Sequence, residues 1–110
     1  MNKPQLLKNQ DIVDLIKANP TCDKIVFITP ELEEFHATMI DSDIQYYVEI
    51  NVDDKGARLS SFELLSELEK DISERSNDMY LAVWVTEHGD RHLIESTEIE
   101  ENTIKVLLSD

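Results

Sequence analysis

The stretch that decides the fold is residues 44–52, IQYYVEINV. Apolar or aromatic residues alternate there with mostly polar ones. The first set is Ile44, Tyr46, Val48, Ile50 and Val52, and the second is Gln45, Tyr47, Glu49 and Asn51. Such alternation predicts a β-strand with one face on a core and the other in water. We therefore expect Tyr46 to be buried and Tyr47 to be exposed.

Two helices are predicted on either side of this strand. Residues 53–56, DDKG, predict a turn, after which Ser60 and Glu63 have the spacing of a capping box at a helix start. A helix over 60–75 follows, whose apolar stripe is Phe62, Leu65, Leu68 and Ile72, with Leu64 flanking it. Upstream, an amphipathic segment predicts a helix over 10–18 with Asn9 as its N-cap and a stop at Asn19-Pro20.

Short runs rich in β-branched and aromatic residues predict the remaining strands, at 24–29, 36–40, 79–86, 91–96 and 103–108. We therefore expect an α+β domain in which two helices pack on one face of a mainly antiparallel sheet of four to six strands. The expected core consists of apolar positions in these elements: Ile12, Leu15, Ile16, Val26, Ile28, Val48, Ile50, Leu65, Leu68, Ile72, Leu81, Val83, Val85, Ile104 and Val106.

The two halves of this single 110-residue domain, residues 9–52 and 60–108, share a pattern. VFIT at 26–29 matches VWVT at 83–86, and His36 precedes His92 by a similar offset. Near-constant offsets predict an internal duplication of an α-β-β(-β) unit. Coincidence between common strand residues is the alternative explanation.

The composition indicates a folded but very acidic domain. There are 24 Asp and Glu residues against 10 Lys and Arg, a net charge of −14. Leu, Ile, Val and Phe make up 33 of the 110 residues, well above the share of ~20% below which disorder is expected. Such a charge repels phosphate backbones and anionic lipids, so neither nucleic acid nor a membrane is expected as a direct partner. The single cysteine, Cys22, and the lack of a long apolar run predict a cytoplasmic protein.

Motifs for catalysis are not found. The two glycines, Gly56 and Gly89, exclude glycine-rich phosphate loops, and Asp23 beside Cys22 opposes a reactive thiolate. No enzyme activity, catalytic residue or cofactor is therefore expected. His88 and His92 are the closest approach to a metal-ligand pair, but Gly89-Asp90 predicts a hairpin between them, which favours two solvated histidines over a metal site. A small metal-binding protein that uses His88 and His92 remains the second alternative.

The predicted second helix concentrates the acidity and carries the leading hypothesis. Its like-charged pairs at i,i+4 cost a few tenths of a kcal/mol each, which suggests selection for binding. The expected partner-binding residues are those of this helix and of the exposed face of the 44–52 strand: Glu63, Glu67, Glu69, Asp71, Glu74, Tyr47 and Glu49.

In size and charge the chain resembles phage inhibitors that imitate DNA and immunity proteins that neutralise nuclease toxins. The resemblance implies a basic partner protein, one that binds nucleic acid, such as a nuclease, defence enzyme or regulator, whose basic site the chain would occupy. The first alternative is a phage or mobile-element accessory or structural protein that acts as a homo-oligomer, for example a homodimer.

Overall fold

The computed structural model describes residues 7–109. In chain order the elements are α1 (Asn9–Ala18), β1 (Lys24–Ile28), β2 (Glu34–Asp41), β3 (Tyr47–Asp53), α2 (Ser61–Arg75), β4 (Tyr80–Val85), β5 (Asp90–His92), β6 (Ile94–Glu100) and β7 (Thr103–Leu108). Both predicted helices are confirmed, and their bounds differ by one residue from the expected 10–18 and 60–75. None of the helices in this part of the chain is long and apolar enough to cross a membrane.

The strands form one mixed sheet in the order β5-β4-β3-β2-β1-β7-β6. Two of its pairings, β1 with β7 and β3 with β4, are parallel. Because the sheet is mixed and has seven strands, the prediction of four to six mainly antiparallel strands is wrong. Parallel neighbours are strands that a long crossover separates in sequence, so local alternation does not reveal their direction. The strand expected at 91–96 is also two strands, which accounts for part of the higher number.

At Leu93 the chain passes directly from one edge of the sheet to the other. β5 and β6 form opposite edges of the sheet, although Leu93 alone separates them in the chain. The Leu93 carbonyl accepts hydrogen bonds from the Ser109 N–H at 2.9 Å and from the Ser109 hydroxyl at 3.1 Å. Because one residue links the two edges, the sheet rolls into a half-barrel whose edges meet at Leu93.

A single core lies between the inner face of the half-barrel and the two helices. Its largest fully buried side chains come from both: Phe27, Ile12, Ile16, Ile50, Leu64, Leu68, Leu81, Ile94, Ile104, Leu108, Val13 and Val48. Ten of the fifteen expected core residues are buried, and the other five, Leu15, Val26, Ile28, Leu65 and Ile72, are half-buried. β1 contains two of these five, Val26 and Ile28. Its inner residues Ile25 and Phe27 are in the core, but its outer face remains partly open.

The strand that was expected at 44–52 begins three residues later, at Tyr47. Tyr46 has a positive φ of 71° in the preceding turn and is 64% exposed, so its expected burial is wrong. Tyr47 is half-buried instead of exposed. The alternation of burial holds from Ile50 onward, because Glu49 is buried like its neighbours Val48 and Ile50. Turn geometry displaces the first apolar positions, because a residue at positive φ cannot continue the extended strand.

The expected stripe of α2 is rotated by about one residue. Leu64 and Leu68 lie in the core, whereas Phe62 is exposed. At the start of α1, Asn9 is the first helical residue and not the N-cap, a position that Lys8 takes. The two halves have the element orders α-β-β-β and α-β-β-β-β; internal duplication of residues 9–52 and 60–108 stays a prediction.

The capping box of α2 is confirmed. The Ser60 hydroxyl accepts a hydrogen bond from the Glu63 N–H at 3.1 Å, and Glu63 Oε1 accepts one from the Ser60 N–H at 3.0 Å. The hydrogen bond that the Glu63 carboxylate accepts from the Ser60 backbone N–H, and then its interaction with the Ser60 side chain, favour the ionised carboxylate. They therefore hold the pKa of Glu63 below its usual value of 4.5.

We expect Glu63→Gln to flatten the acid side of the stability profile. A lowered folded-state pKa contributes stability that is present above the unfolded pKa and is lost as pH falls through the folded pKa. Urea unfolding at about pH 6 and about pH 3.5 measures this loss, which should be smaller in Glu63→Gln than in the wild type. Glu95→Gln, at an exposed strand position, is the control, and identical profiles for the two variants would contradict the assignment.

Candidate functional site

The five acidic side chains of α2 lie in different surroundings. Glu63 caps the helix, and Glu69 receives the Lys17 ammonium from α1 at 2.7 Å, an ion pair that raises the pKa of Lys17. Glu74 is 4.0 Å from Lys70, and both are well exposed. Glu67 is exposed and has no ion pair within the described residues. The expected acidic face is therefore reduced to Glu67 and Glu74, with Glu63 at one end.

Asp71 is not on that face. It is only 2% exposed, and its Oδ1 accepts a hydrogen bond from Arg75 Nε at 2.9 Å. Arg75 Nη1 continues to the Ile44 carbonyl at 2.8 Å, while Asn9 Nδ2 donates to the Leu68 carbonyl at 3.0 Å and approaches Asp71 Oδ2 at 3.4 Å. The expectation that Asp71 contacts a partner is corrected accordingly, because its carboxylate ties α1, α2 and the loop before β3 together.

Tyr47 and Glu49 are also engaged within the fold. Glu49 is 6% exposed and accepts a hydrogen bond from Arg91 Nε at 2.6 Å. The Arg91 guanidinium lies 5.7 Å from the centre of the Tyr47 ring, which contacts the Tyr80 ring at 6.2 Å. The burial of Glu49 removes it from the surface that a partner can touch. Tyr47 keeps only part of its ring accessible.

A groove lies where α2 meets β2. One cavity of about 310 Å³ is lined by Thr38, Met39, Ile40, Leu59 and Glu67. It adjoins a cavity of about 110 Å³ that shares Ile40 and Glu67 and adds Ser42, Lys70, Asp71 and Glu74. We call the two together the acidic groove. A hydrogen bond from the Leu59 N–H to the Ala37 carbonyl, at 2.9 Å, fixes its side wall.

The floor of the acidic groove was not found from the sequence. Met39 is 54% exposed, and Ile40 is half-buried. The signal available in the sequence was Met39, an apolar residue in the strand predicted at 36–40. Because the sequence does not show which strands pair with this one, Met39 could not be assigned to either face of the sheet. The groove therefore combines apolar side chains with two carboxylates, Glu67 and Glu74, that face solvent.

His88 and His92 do not come together. The His88 Nε2 atom is 3.1 Å from Glu33 Oε1, and its ring packs edge-on against Phe35 at 5.8 Å. The two ring nitrogens of His92 contact the Ser109 carbonyl at 2.6 Å and Asp90 Oδ1 at 3.1 Å. His92 is thus held between Asp90 of its own strand and Ser109 after β7, so it is not a freely solvated histidine. The His88 and His92 metal site, the second alternative, is not assembled in this structure.

The groups that could hold a metal ion instead involve the turn after β4. Ligand atoms of Glu33, Glu87 and His88 lie within 4.8 Å of one another, and so do those of Asp53, Asp54 and Glu87. These side chains are exposed or half-buried. An imidazole with two carboxylates is a donor set that zinc and manganese accept. Exposed carboxylates at turns are also common without a metal, and nothing further in the described residues marks this cluster as a site.

A cavity of about 340 Å³ opens on the outer face of the sheet across β1, β2, β6 and β7. We call it the outer-face cavity. Six charged side chains line it: Lys24, Arg58, Lys105, Glu34, Glu100 and Glu101. His36 lines it as well and is 7% exposed. Cys22 lies elsewhere, buried at the start of β1, as expected of a structural cysteine.

The chain matches no protein-family model, no curated protein and no solved structure.

Proposed function

We propose that this chain is a non-enzymatic acidic binding protein of the DNA-mimic or immunity type. Its partner would be a basic cytoplasmic protein that binds nucleic acid, and the acidic groove would dock on that protein's basic site. The partner's substrate would then be blocked by competition for the same positive charges.

The observation that carries the proposal is the acidic groove itself. Glu67 and Glu74 are seven residues apart on α2, so they lie on the same side of the helix. Glu67 lines the larger cavity together with Met39, Ile40 and Leu59, and Glu74 lines the adjoining smaller cavity, whose apolar residue is Ile40. Lys and Arg side chains have apolar stems and charged ends, so they can pack on such a floor while their charges reach the carboxylates.

The charge of the whole molecule supports the same partner. With a net charge of −14, long-range attraction would accelerate encounter with a basic surface and would weaken as salt screens it. Within α2, Glu63, Glu69 and Asp71 have structural partners that offset their repulsion. Binding therefore needs to explain only Glu67 and Glu74, of which Glu74 has a 4.0 Å contact with the exposed Lys70.

A pair of matched double variants tests the groove. Glu67→Gln with Glu74→Gln removes two charges from it, whereas Glu31→Gln with Glu95→Gln removes two charges from exposed positions elsewhere. The bait is incubated with a lysate of the cells in which the protein occurs, and captured proteins are quantified by mass spectrometry. We expect the groove variant to lose at least about tenfold of the captured basic protein, as loss of close charge pairs implies, and the control to stay near the wild type.

Two further conditions separate specific mimicry from general charge attraction. Excess duplex DNA should displace the captured protein, and molar salt should release it. Capture that survives molar salt unchanged, ignores DNA, or falls equally in both double variants would contradict the proposal.

The homo-oligomer alternative also stays a prediction. A second copy of the chain could pair with an edge strand of the sheet. β6 is the longer edge strand, with seven residues, whereas β5 at the other edge has only three. Size-exclusion chromatography with light scattering distinguishes a monomer from a homodimer.

A further inference from the structure

The outer-face cavity is unlike the rest of this surface. Three of the ten Lys and Arg residues line it, in a protein that is otherwise dominated by carboxylates. They come from three separate places: Lys24 begins β1, Lys105 lies in β7, and Arg58 belongs to the connection before α2. The β1 and β7 register sets Lys24 beside Thr103 and Val26 beside Lys105, which brings both ammonium groups to the same face.

One of these cations is already neutralised within the cavity. Lys105 Nζ donates a hydrogen bond to Glu100 Oε2 at 2.9 Å. That bond, with the nearby Glu34 and Glu98 carboxylates, holds the pKa of Lys105 above its usual value. Lys24 and Arg58, by contrast, form no ion pair with the described residues. Two positive charges therefore remain available.

Two carboxylates in the cavity are equally unpaired. Glu34 and Glu101 form no ion pair with any side chain of residues 7–109. The charges left after the Lys105 and Glu100 pair are thus balanced, two positive and two negative. A simple anion would meet Glu34 and Glu101, and a simple cation would meet Lys24 and Arg58.

His36 adds a buried polar group without a partner. Its Nε2 atom has no hydrogen-bond partner in the part of the chain that the structure describes. A buried polar atom that is left unsatisfied destabilises the folded protein, and a water, an ion or a ligand that completes the bonding removes that cost. Phe35 and Val26 supply apolar surface beside it.

We propose that the outer-face cavity binds a small zwitterion, a molecule with both a carboxylate and an ammonium group, such as an amino acid. Its carboxylate pairs with Arg58 and Lys24, and its ammonium group pairs with Glu34 or Glu101. The volume of about 340 Å³ is at the lower end of small-molecule sites. The cavity is separate from the acidic groove, so this site does not depend on the docking function.

Three probes of equal chain length test the charge requirement. These are 4-aminobutanoate, a zwitterion; succinate, an anion; and 1,4-diaminobutane, a cation. Each is titrated into the ¹⁵N-labelled protein, and amide shifts are followed by NMR. We expect 4-aminobutanoate, with a Kd on the order of 1 mM, to shift amides around Lys24, His36 and Thr103, and the other two probes to bind at least about tenfold more weakly.

A matched pair of variants locates the site. Arg58→Gln removes a charge from the cavity, and Lys55→Gln removes one three residues away, at an exposed position that does not line it. Both should fold like the wild type by circular dichroism. Arg58→Gln should weaken 4-aminobutanoate binding by about tenfold, as loss of a charge-assisted hydrogen bond does, and Lys55→Gln should leave it unchanged.

Three results would overturn the assignment. The first is the absence of shifts with 4-aminobutanoate at about 50 mM, well above the expected Kd. The second is equal or stronger binding of succinate or 1,4-diaminobutane, which would indicate a site for a single charge. The third is an equal effect of Arg58→Gln and Lys55→Gln, which would indicate general electrostatics.

Discussion

Asp71→Ala is expected to lower the free energy of unfolding by about 3–5 kcal/mol. The substitution leaves the Arg75 guanidinium, which is itself mostly buried, without its carboxylate, and Asn9 loses a nearby acceptor. A buried charge that has lost its partner retains its full desolvation cost. Urea unfolding monitored by circular dichroism measures the change.

Glu67→Ala provides the control on the same helix. Glu67 is exposed and unpaired within residues 7–109, so its removal should change stability by no more than about 0.5 kcal/mol. Adding Arg75→Met to Asp71→Ala should recover part of the loss, because the stranded charge is then removed as well. A cost for Asp71→Ala no larger than that for Glu67→Ala would mean that Asp71 belongs to the surface, as its position in an acidic run first suggested.

Phe27→Ala is expected to destabilise the protein by about 3–5 kcal/mol, the usual cost of truncating a buried aromatic side chain. Phe27 is fully buried in β1, beside Phe35 on one side and Val106 on the other. Truncation removes its contacts with both neighbouring strands and leaves a cavity between them. Thermal and urea unfolding should report the same loss.

Phe62→Ala is the matched control, since the chemical change is identical at an exposed position of α2. We expect it to cost less than about 1 kcal/mol. The comparison is informative because the sequence pattern placed Phe62 in the apolar stripe and left Phe27 out of the expected core. A larger effect for Phe62 than for Phe27 would contradict the packing described above.

Local patterns predicted local structure well. The helix bounds, the Ser60 and Glu63 cap and most strand positions follow from periodicity and capping chemistry, which depend on residues a few positions apart. The parallel β1 and β7 pair joins residues about 80 positions apart, and no short-range pattern encodes that contact. The same limit explains Tyr46, which lies in the turn before β3 although the alternation placed it in the strand.

The candidate sites were only partly predictable for the same reason. Acidic residues on α2 were visible in the sequence, but their partners Lys17 and Arg75, and the carbonyl of Ile44, are supplied by the fold. The sequence could not separate Glu67, which faces solvent, from Asp71, which does not. Lys24, Arg58 and Lys105 are far apart in the chain, so the outer-face cavity had no sequence signal at all.

The position of β7 between β1 and β6 has a consequence for how the chain folds. Of the strands in residues 7–109, β1 is synthesised earliest, yet one of its two neighbours in the sheet is β7, the latest of them. During synthesis, that side of β1 keeps unpaired backbone groups until residues 103–108 have emerged. The sheet therefore cannot be completed before β7 has been synthesised, and its cooperative folding should begin only then.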